Sequence, residues 1–317
     1  MSSTDVTQNH VALLWGGWAD ERDISHSSAK AISKALAEAG FEHVDMLDVA
    51  DPQFVVTLSG GNYDVAFVAM HGAYGEDGCI QGLLEVLHIP YTFSGVLASA
   101  MGADKDVSKL LYQQAGIPVP RGLCVHRGEV VDPQAIVQEL GLPLFIKPAV
   151  NGSSYGVTRV TAAEQINDAI KLALESSDHA LVEECVMGTE ITVPVIGNKD
   201  ARALPIIEVV MEGEFYDLKA KYEPSELHHV MPARLAPDVY ARAQELAIMA
   251  HQALGCAGCS RSDFIVKADG TPVILETNTI PGMTERSLLP DSAAHDGIPF
   301  SQLCRMFVEW ALEENQA

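Results

Sequence analysis

Apolar residues along the first hundred positions of the chain follow two different periods. Short apolar runs predict strands, because the buried strands of a parallel sheet consist of continuous hydrophobic segments. These runs cover residues 10–15, 44–47, 65–70 and 90–93. Between them, Ala29, Ile32 and Leu36 recur at helical spacing ahead of Gly40, and a second helical pattern covers residues 83–87. This alternation is typical of an α/β layer built on a parallel sheet.

The pattern changes after residue 120, where strand signals become more frequent. Strands are predicted at residues 144–147, 157–160 and 180–184, with further strands from residue 191 onward. Helices are predicted over residues 104–115, 162–175, 237–254 and 300–313. Residues 219–233 lack strong periodicity, and in an enzyme such a segment often covers a site. The chain as a whole predicts an α/β part followed by an α+β part.

Charge and composition exclude several classes of partner. The 317 residues include 20 Lys and Arg against 43 Asp and Glu, which gives a formal net charge of −23. Nucleic acids and anionic membranes select basic patches, so we expect neither as a partner. No apolar run reaches the length of about 18 residues that a spanning helix needs. Residues 1–10 also lack the features of a signal peptide, so we expect a cytoplasmic location.

The six cysteines are spread along the chain, as expected for reduced thiols. Cys256 and Cys259 form one C-x-x-C pair, but no second pair or histidine pair stands at zinc spacing. We therefore interpret these two residues as buried structural thiols.

One predicted β-hairpin places two carboxylates opposite each other. Asp269-Gly270 is a preferred central pair of a two-residue turn, and this turn sets Asp263 against Glu276 and Arg261 against Asn278. All four side chains then project from one face of the hairpin. Facing carboxylates repel each other, and Mg²⁺ offsets the repulsion by taking oxygen ligands. The pattern predicts a metal site, and an ordinary ion pair on a solvated face is the alternative.

Residues 151–156 form a glycine- and serine-rich segment with two interpretations. The segment contains Gly-x-Ser-x-Gly centred on Ser154, the nucleophile elbow of hydrolases, and Asp263 and His295 follow in hydrolase order. That elbow requires a helix after the serine, whereas the residues that follow are strand-like. The other interpretation is a loop whose N–H groups and hydroxyls bind phosphate, with Lys147 just upstream. Neither a Walker A motif nor G-x-G-x-x-G is present, so nucleotide binding would use another design.

Together these segments resemble one family, the D-alanine–D-alanine ligases of the ATP-grasp superfamily. The resemblance spans nearly the whole chain in order, and the combination is specific although each short motif is not. Two of the longer motifs are HGAYGEDG at residues 71–78 and ETNTIPGMT at residues 276–284. The other matching segments are residues 16–25, 81–82, 89–95, 104–105, 147–148, 152–156, 221–222, 231–233, 261–263 and 287–288.

The resemblance implies an ATP-grasp fold preceded by a Rossmann-like α/β domain. The implied division is an amino-terminal substrate-binding domain at residues 1–100, a central ATP-grasp subdomain at 101–185 and a catalytic subdomain at 186–317. The implied reaction is an ADP-forming ligation through an acyl phosphate, which joins two D-alanines into D-alanyl-D-alanine for peptidoglycan. The resemblance also implies ATP, two Mg²⁺ ions with Mn²⁺ as a substitute, and a homodimer.

The resemblance further assigns binding roles by position. Asp263, Glu276 and Asn278 would hold the metal ions. The nucleotide would be bound by Lys105, Lys147, Ser153, Ser154, Glu183, Glu184, Val186, Glu190 and Lys221. Lys105 and Lys147 would contact phosphates. The backbone of residues 184 and 186 would contact adenine, and Glu190 would contact the ribose.

Roles in catalysis and substrate binding are implied in the same way. Arg261 and the backbone N–H of Gly282 would stabilise the oxyanion, where fixed donors contribute most to rate. The first D-alanine would be held by Glu21, with His71 beside it. The carboxylate of the second D-alanine would be bound by Ser287 and Leu288. A hydrogen-bonded trio would comprise Glu21, Ser153 and Tyr222.

Two alternatives differ from this interpretation. Ile280 departs from the residues usual at its position, so a related ligase that uses D-lactate or D-serine as acceptor is one alternative. Tyr222 favours the enzymes that add D-alanine. A non-catalytic ATP-sensing module is the other alternative.

Overall fold

The computed structural model describes residues 5–18, 21–150, 156–211 and 227–314. Its amino-terminal elements are β1 (Val11–Trp15), α1 (Arg22–Glu38), β2 (Val44–Asp48), α2 (Phe54–Gly60), β3 (Val65–Val68), α3 (Cys79–Leu87) and α4 (Val96–Ala103). The three strands pair in parallel in the order β2-β1-β3. This confirms the predicted α/β layer.

The fourth predicted strand of this layer, at residues 90–93, is present only as a short parallel pairing with β3. Tyr91 forms a parallel bridge with Ala66, and the backbone of Ala66 accepts the N–H of Thr92 at 2.9 Å. Phe93 has a φ of 75°, a left-handed conformation that ends extended backbone. Its ring instead packs edge-on against Phe67 and Phe307. Extended pairing therefore ends at Phe93, whose ring packs in the core.

A four-stranded sheet follows the helix α5 (Lys105–Gln114). Its elements are β4 (Gly122–His126), α6 (Pro133–Leu140), β5 (Leu144–Pro148), β6 (Thr158–Val160), α7 (Ile166–Ala173) and β7 (His179–Glu184). The strands pair antiparallel in the order β4-β7-β5-β6, and we refer to them as the central sheet. Three of these strands confirm predictions, whereas β4 and α6 were not predicted. The start of α6 is nevertheless visible in the sequence, since Asp132 caps the helix and Pro133 opens it.

The remaining elements include a larger antiparallel sheet and three helices. They are β8 (Thr189–Ile196), β9 (Arg202–Ala203), β10 (Ile207–Met211), β11 (Leu227–Val230), α8 (Pro237–Leu254), β12 (Cys259–Val266), β13 (Pro272–Asn278), α9 (Leu288–His295) and α10 (Phe300–Glu314). The strand order of this carboxy-terminal sheet is β11-β10-β8-β12-β13, with β9 beside β8. Its core includes Tyr112, Leu246 and Phe264, so α5 and α8 pack on the same sheet.

The last helix returns to the amino-terminal layer. Phe307 of α10 lies edge-on to Phe67 of β3, with ring centroids 6.4 Å apart. The same hydrophobic core contains Cys259, Ile280 and Met283 from the carboxy-terminal sheet and the loop that follows it. The amino-terminal layer is thereby joined to the carboxy-terminal sheet through shared packing.

The hairpin of β12 and β13 has the predicted pairing at its carboxylates but not the predicted turn. Asp263 lies opposite Glu276. The turn is closed by the Gly270 N–H, which donates to the carbonyl of Lys267 at 2.8 Å, and Gly270 has a φ of 83°. This is a longer connection than the predicted two-residue turn, with glycine in the left-handed position. A second irregularity between Asp263 and Phe264 shifts the register back, so the two departures cancel.

Two smaller expectations concern thiols and membranes. Cys256 and Cys259 are buried and free, which confirms their interpretation as structural thiols. Within the described ranges, no helix has the length and apolar character needed to cross a membrane.

Candidate active site

A cavity of about 500 Å³ opens between the central sheet and the carboxy-terminal sheet. Its volume is in the range of small-molecule sites. Most of the predicted site residues line it: Lys105, Lys147, Glu183, Glu184, Val186, Glu190, Arg261, Asp263, Glu276, Gly282, Ser287 and Leu288. The structure thus gathers residues that are spread over most of the chain into one cavity.

The hairpin carboxylates lie in the cavity next to fixed cations. Arg261 donates to both oxygens of Asp263, from Nε at 3.1 Å and from a terminal nitrogen at 3.0 Å. Thr192 donates to the same carboxylate. The Nζ of Lys105 lies 3.3 Å from Oε2 of Glu276. Burial alone would lower the pKa of Arg261, but Asp263 and then Glu276 outweigh burial and raise it.

In the cavity wall, Glu183 is held between two lysines. Its side chain is in contact with Lys109, and its Oε2 lies 2.8 Å from Nζ of Lys147. Glu183 is 3% exposed. Burial and the charge of Lys147 lower the pKa of Lys109 to about 8. Burial opposes ionisation of Glu183, but the two lysines outweigh it and lower its pKa.

The loop after β13 supplies the opposite end of the cavity. The backbone N–H of Thr284 donates to Oγ of Ser287 at 3.0 Å, and the two hydroxyls lie 2.8 Å apart. Ser287 immediately precedes α9, whose first residue is Leu288. A Cβ on Gly282 would come within 3.1 Å of that same hydroxyl. The loop is therefore closely packed around Ser287, and Gly282 and Ser287 both line the cavity.

Three predicted residues do not line the cavity. His71 is buried, with Nε2 3.1 Å from Oγ of Ser28 and Nδ1 3.5 Å from Oε1 of Glu76. Glu21 stands at the start of α1. Asn278 pairs with Arg261 across the hairpin, and its side chain accepts the N–H of residue 280 at 2.9 Å. Four further predictions lie outside the described residues, namely Ser153, Ser154, Lys221 and Tyr222.

Several cavity residues were missed by sequence reasoning. Phe145, Ile265 and Leu275 give the cavity an apolar wall, and Arg286 adds a cation. Phe145 is two residues from Lys147 on β5, and Ile265 is two residues from Asp263 on β12. Side-chain alternation would have placed both of them beside predicted residues.

The elements around residues 151–156 disfavour the hydrolase interpretation. β5 precedes this segment and β6 follows it, and the two strands pair antiparallel. A nucleophile elbow requires a strand followed directly by a helix. Here the segment connects two paired strands, so a nucleophile elbow has no helix directly after it.

Comparison with known proteins defines the class of the fold. A ligase from Bacillus anthracis, solved as D-alanine–D-alanine ligase, matches with a TM-score of 0.85 and 30% identity over 97% of this chain and 99% of that one. A structure of that enzyme complexed with ATP matches with a TM-score of 0.85 and 29% identity over the same shares of each chain. The fold is therefore the ATP-grasp fold of these ligases.

Sequence comparisons agree with the structural comparison. Family models described as the D-ala D-ala ligase C-terminus and N-terminus match residues 111–309 and 52–94. The chain is 42% identical to the D-alanine–D-alanine ligase of Desulforamulus reducens over 96% of this chain and 99% of the relative. It is 44% identical to that of Syntrophobacter fumaroxidans over 99% of this chain and 100% of the relative. The chain belongs to the D-alanine–D-alanine ligase family.

Proposed function

We propose that the protein joins two D-alanine molecules into D-alanyl-D-alanine for peptidoglycan, with conversion of one ATP to ADP and phosphate. The observation that carries this proposal is the facing pair of Asp263 and Glu276, which lies in one cavity with Arg261, Lys105 and Lys147. Two carboxylates and three cations suit a reaction in which phosphate charge is transferred and an oxyanion forms. Family membership supports the identity of the substrates.

ATP fits the cavity between the two sheets. The apolar side chains of Phe145, Ile265 and Leu275 would contact the adenine ring, and the backbone of residues 184 and 186 would hydrogen-bond its edge. Glu190 would bind the ribose. Lys105 and Lys147, together with the serines at 153 and 154 and Lys221, would contact phosphate oxygens.

The donor set of the hairpin fits Mg²⁺, with Mn²⁺ as a substitute. Asp263 and Glu276 lie directly opposite each other, and hard cations prefer such oxygens. Asn278, on the same face, would supply an amide oxygen. Two bound ions would neutralise the phosphate charge during transfer. Arg261 and Lys105 occupy the carboxylates in the structure, so these cations would have to share their partners with the metal.

The chain's own groups then account for the ligation. The carboxylate of the first D-alanine attacks the γ-phosphate and forms an acyl phosphate, and ADP is released. The amine of the second D-alanine attacks the acyl carbon and displaces phosphate. Arg261 and the N–H of Gly282 would donate to the oxyanion formed in that step.

Substrate orientation requires further contacts. Glu21 would hold the ammonium group of the first D-alanine, beside His71, whose ring is fixed by Ser28. Ser287 and the N–H of Leu288 would bind the carboxylate of the second substrate. Glu21 would also form a hydrogen-bonded trio with Ser153 and Tyr222.

Organisation and location are part of the same proposal. The domain division at residues 1–100, 101–185 and 186–317, a homodimer and a cytoplasmic location are those expected for the family. Light scattering on the purified protein tests the dimer: a mass of about two chains supports it, and the mass of one chain opposes it.

The deciding experiment is ADP release from ATP and Mg²⁺ with and without D-alanine, with L-alanine and D-lactate as controls. Release that depends on D-alanine and yields the dipeptide is expected. Release that requires D-alanine together with D-lactate or D-serine would keep the mechanism and change the product. ATP binding without turnover under any amino acid would favour the sensing module.

A further inference from the structure

A cluster outside the cavity brings together three side chains of metal-binding type. Asp106, Cys124 and His179 each offer one ligand atom, and these atoms all lie within 4.8 Å of one another. The three residues are partly buried. None of them is used in the proposed ligation, so the cluster needs its own explanation. We refer to it as the Asp-Cys-His cluster.

The central sheet fixes two of the three members. His126 of β4 pairs with His179 of β7, so their side chains lie on one face of the sheet. Cys124 is two residues from His126 and therefore shares that face. The rings of His126 and His179 stack with centroids 5.5 Å apart. The strand register thus brings a thiol close to an imidazole.

The third member comes from the start of α5. Asp104 caps this helix by accepting the N–H of Asp106 at 3.0 Å and that of Val107 at 3.2 Å. The cap fixes Asp106 in the first turn, above the face of the central sheet. The Oδ1 of Asp104 also lies 3.3 Å from Nε2 of His179. A carboxylate that contacts an imidazole in this way orients histidine ligands in metal sites.

We propose that Asp106, Cys124 and His179 bind a divalent transition-metal ion of the zinc type, with water in the fourth position. Thiolate, imidazole and carboxylate are the ligands zinc takes in proteins, and three protein ligands leave one position open. Mg²⁺ does not select a thiolate. The site therefore differs in metal preference from the all-oxygen set of the hairpin.

The surroundings of the cluster favour a cation. Two further carboxylates lie beside the cluster. The Oδ1 of Asp104 lies 3.3 Å from Nε2 of His179, and Oε2 of Glu129 accepts the N–H of His126, the residue opposite His179, at 3.0 Å. Zinc would replace the thiol proton, which passes to solvent, and would neutralise part of the negative charge.

The site joins two parts of the molecule that flank the cavity. α5 packs into the core of the carboxy-terminal sheet through Tyr112, whereas Cys124 and His179 belong to the central sheet. Lys105, which lines the cavity, stands next to Asp106. A bound metal would therefore link the two layers beside the cavity and stabilise the folded protein by mass action.

Cobalt substitution tests the site directly. The chelator-treated, full-length protein is titrated with Co²⁺, and we expect a thiolate-to-cobalt charge-transfer absorption that saturates at one ion per chain. Co²⁺ bound to the hairpin oxygens gives no such band. Cys124→Ser should abolish the band and His179→Gln should weaken or abolish it, whereas Cys79→Ser, which removes an exposed thiol elsewhere, should retain it.

A second measurement guards against a variant that fails to fold. Zn²⁺ at micromolar concentration should raise the thermal midpoint of the wild-type protein and of Cys79→Ser, but not that of Cys124→Ser. Asp263→Asn should keep both the cobalt band and the zinc shift. Absence of the band in the wild type, its survival in Cys124→Ser, or its loss in Asp263→Asn would overturn the proposal.

Discussion

Lys147 and Glu183 form a buried ion pair across neighbouring strands, with Nζ of the lysine 2.8 Å from Oε2 of the glutamate. Phe145 pairs directly with Glu183 in the register of β5 and β7, so Lys147, two residues further on, lies diagonally across the same face. Lys109 reaches the same carboxylate from α5. One buried carboxylate therefore contacts two lysines, and Lys147 also lines the cavity.

Removal of that anion should destabilise the fold. In Glu183→Gln both lysines lose their charged partner, and breaking a buried ion pair costs about 3–5 kcal/mol. Glu184→Gln is the matched control, because Glu184 pairs with the exposed Arg121 and such pairs contribute about 1 kcal/mol or less. Urea unfolding followed by circular dichroism measures both losses. Equal losses in the two variants would contradict the buried-pair interpretation.

The ionisation of Glu183 predicts that the stability of the fold depends on pH. Its pKa in the folded protein lies below the ordinary value of 4.5, because the charges of Lys147 and Lys109 outweigh burial. The ionised form is thus preferred in the folded state, and its contribution is present above pH 4.5 and decreases as the pH falls through the folded pKa. The stability difference between wild type and Glu183→Gln should be constant from pH 7 to about 5 and shrink below pH 4.5. A stability difference that increases as the pH falls would contradict this prediction.

The hairpin shows which features local sequence rules predict and which they do not. The opposition of Asp263 and Glu276 was predicted from a two-residue turn at Asp269-Gly270, yet the structure has a longer turn and a bulge that restores the pairing. Turn chemistry is a local signal, whereas a bulge depends on how the strand packs in its sheet. The carboxylate pair was thus predicted correctly from a turn that was wrong.

Other features depend on contacts between distant segments, which periodicity does not reveal. Lys109 occupies a helical position with no special spacing, and its contact with Glu183 joins residues 74 positions apart. Phe93 has the apolar character of a strand, but its place in the core between Phe67 and Phe307 decides its conformation. The assignments to Lys105, Ser287 and Glu21 rested on family resemblance, and they stay predictions.

The metal assignment predicts a change in Mg²⁺ dependence. Glu276→Gln removes an anionic oxygen opposite Asp263, so the Mg²⁺ concentration for half-maximal turnover should rise. We expect a rise at least as large as the 10–100-fold effect that follows loss of an outer-shell partner of a metal ligand. Steady-state ADP release across a Mg²⁺ titration measures it. Glu245→Gln, on the exposed surface of α8, is the control, and an unchanged Mg²⁺ curve in Glu276→Gln would remove this residue from the metal site.

The role proposed for Arg261 predicts a split between kcat and KM. The guanidinium is fixed by two hydrogen bonds to Asp263, so it is already oriented when charge develops on the oxyanion. Loss of one such donor lowers kcat by about 10²–10³-fold, and we expect this in Arg261→Ala with a much smaller change in KM for ATP. Arg261→Lys, which keeps the charge but not the paired donors, should recover only part of kcat. Arg242→Ala, on the exposed surface of α8, controls for a general effect of losing an arginine. If Arg261→Ala instead raises KM for ATP and leaves kcat unchanged, Arg261 binds the nucleotide and the oxyanion role is wrong.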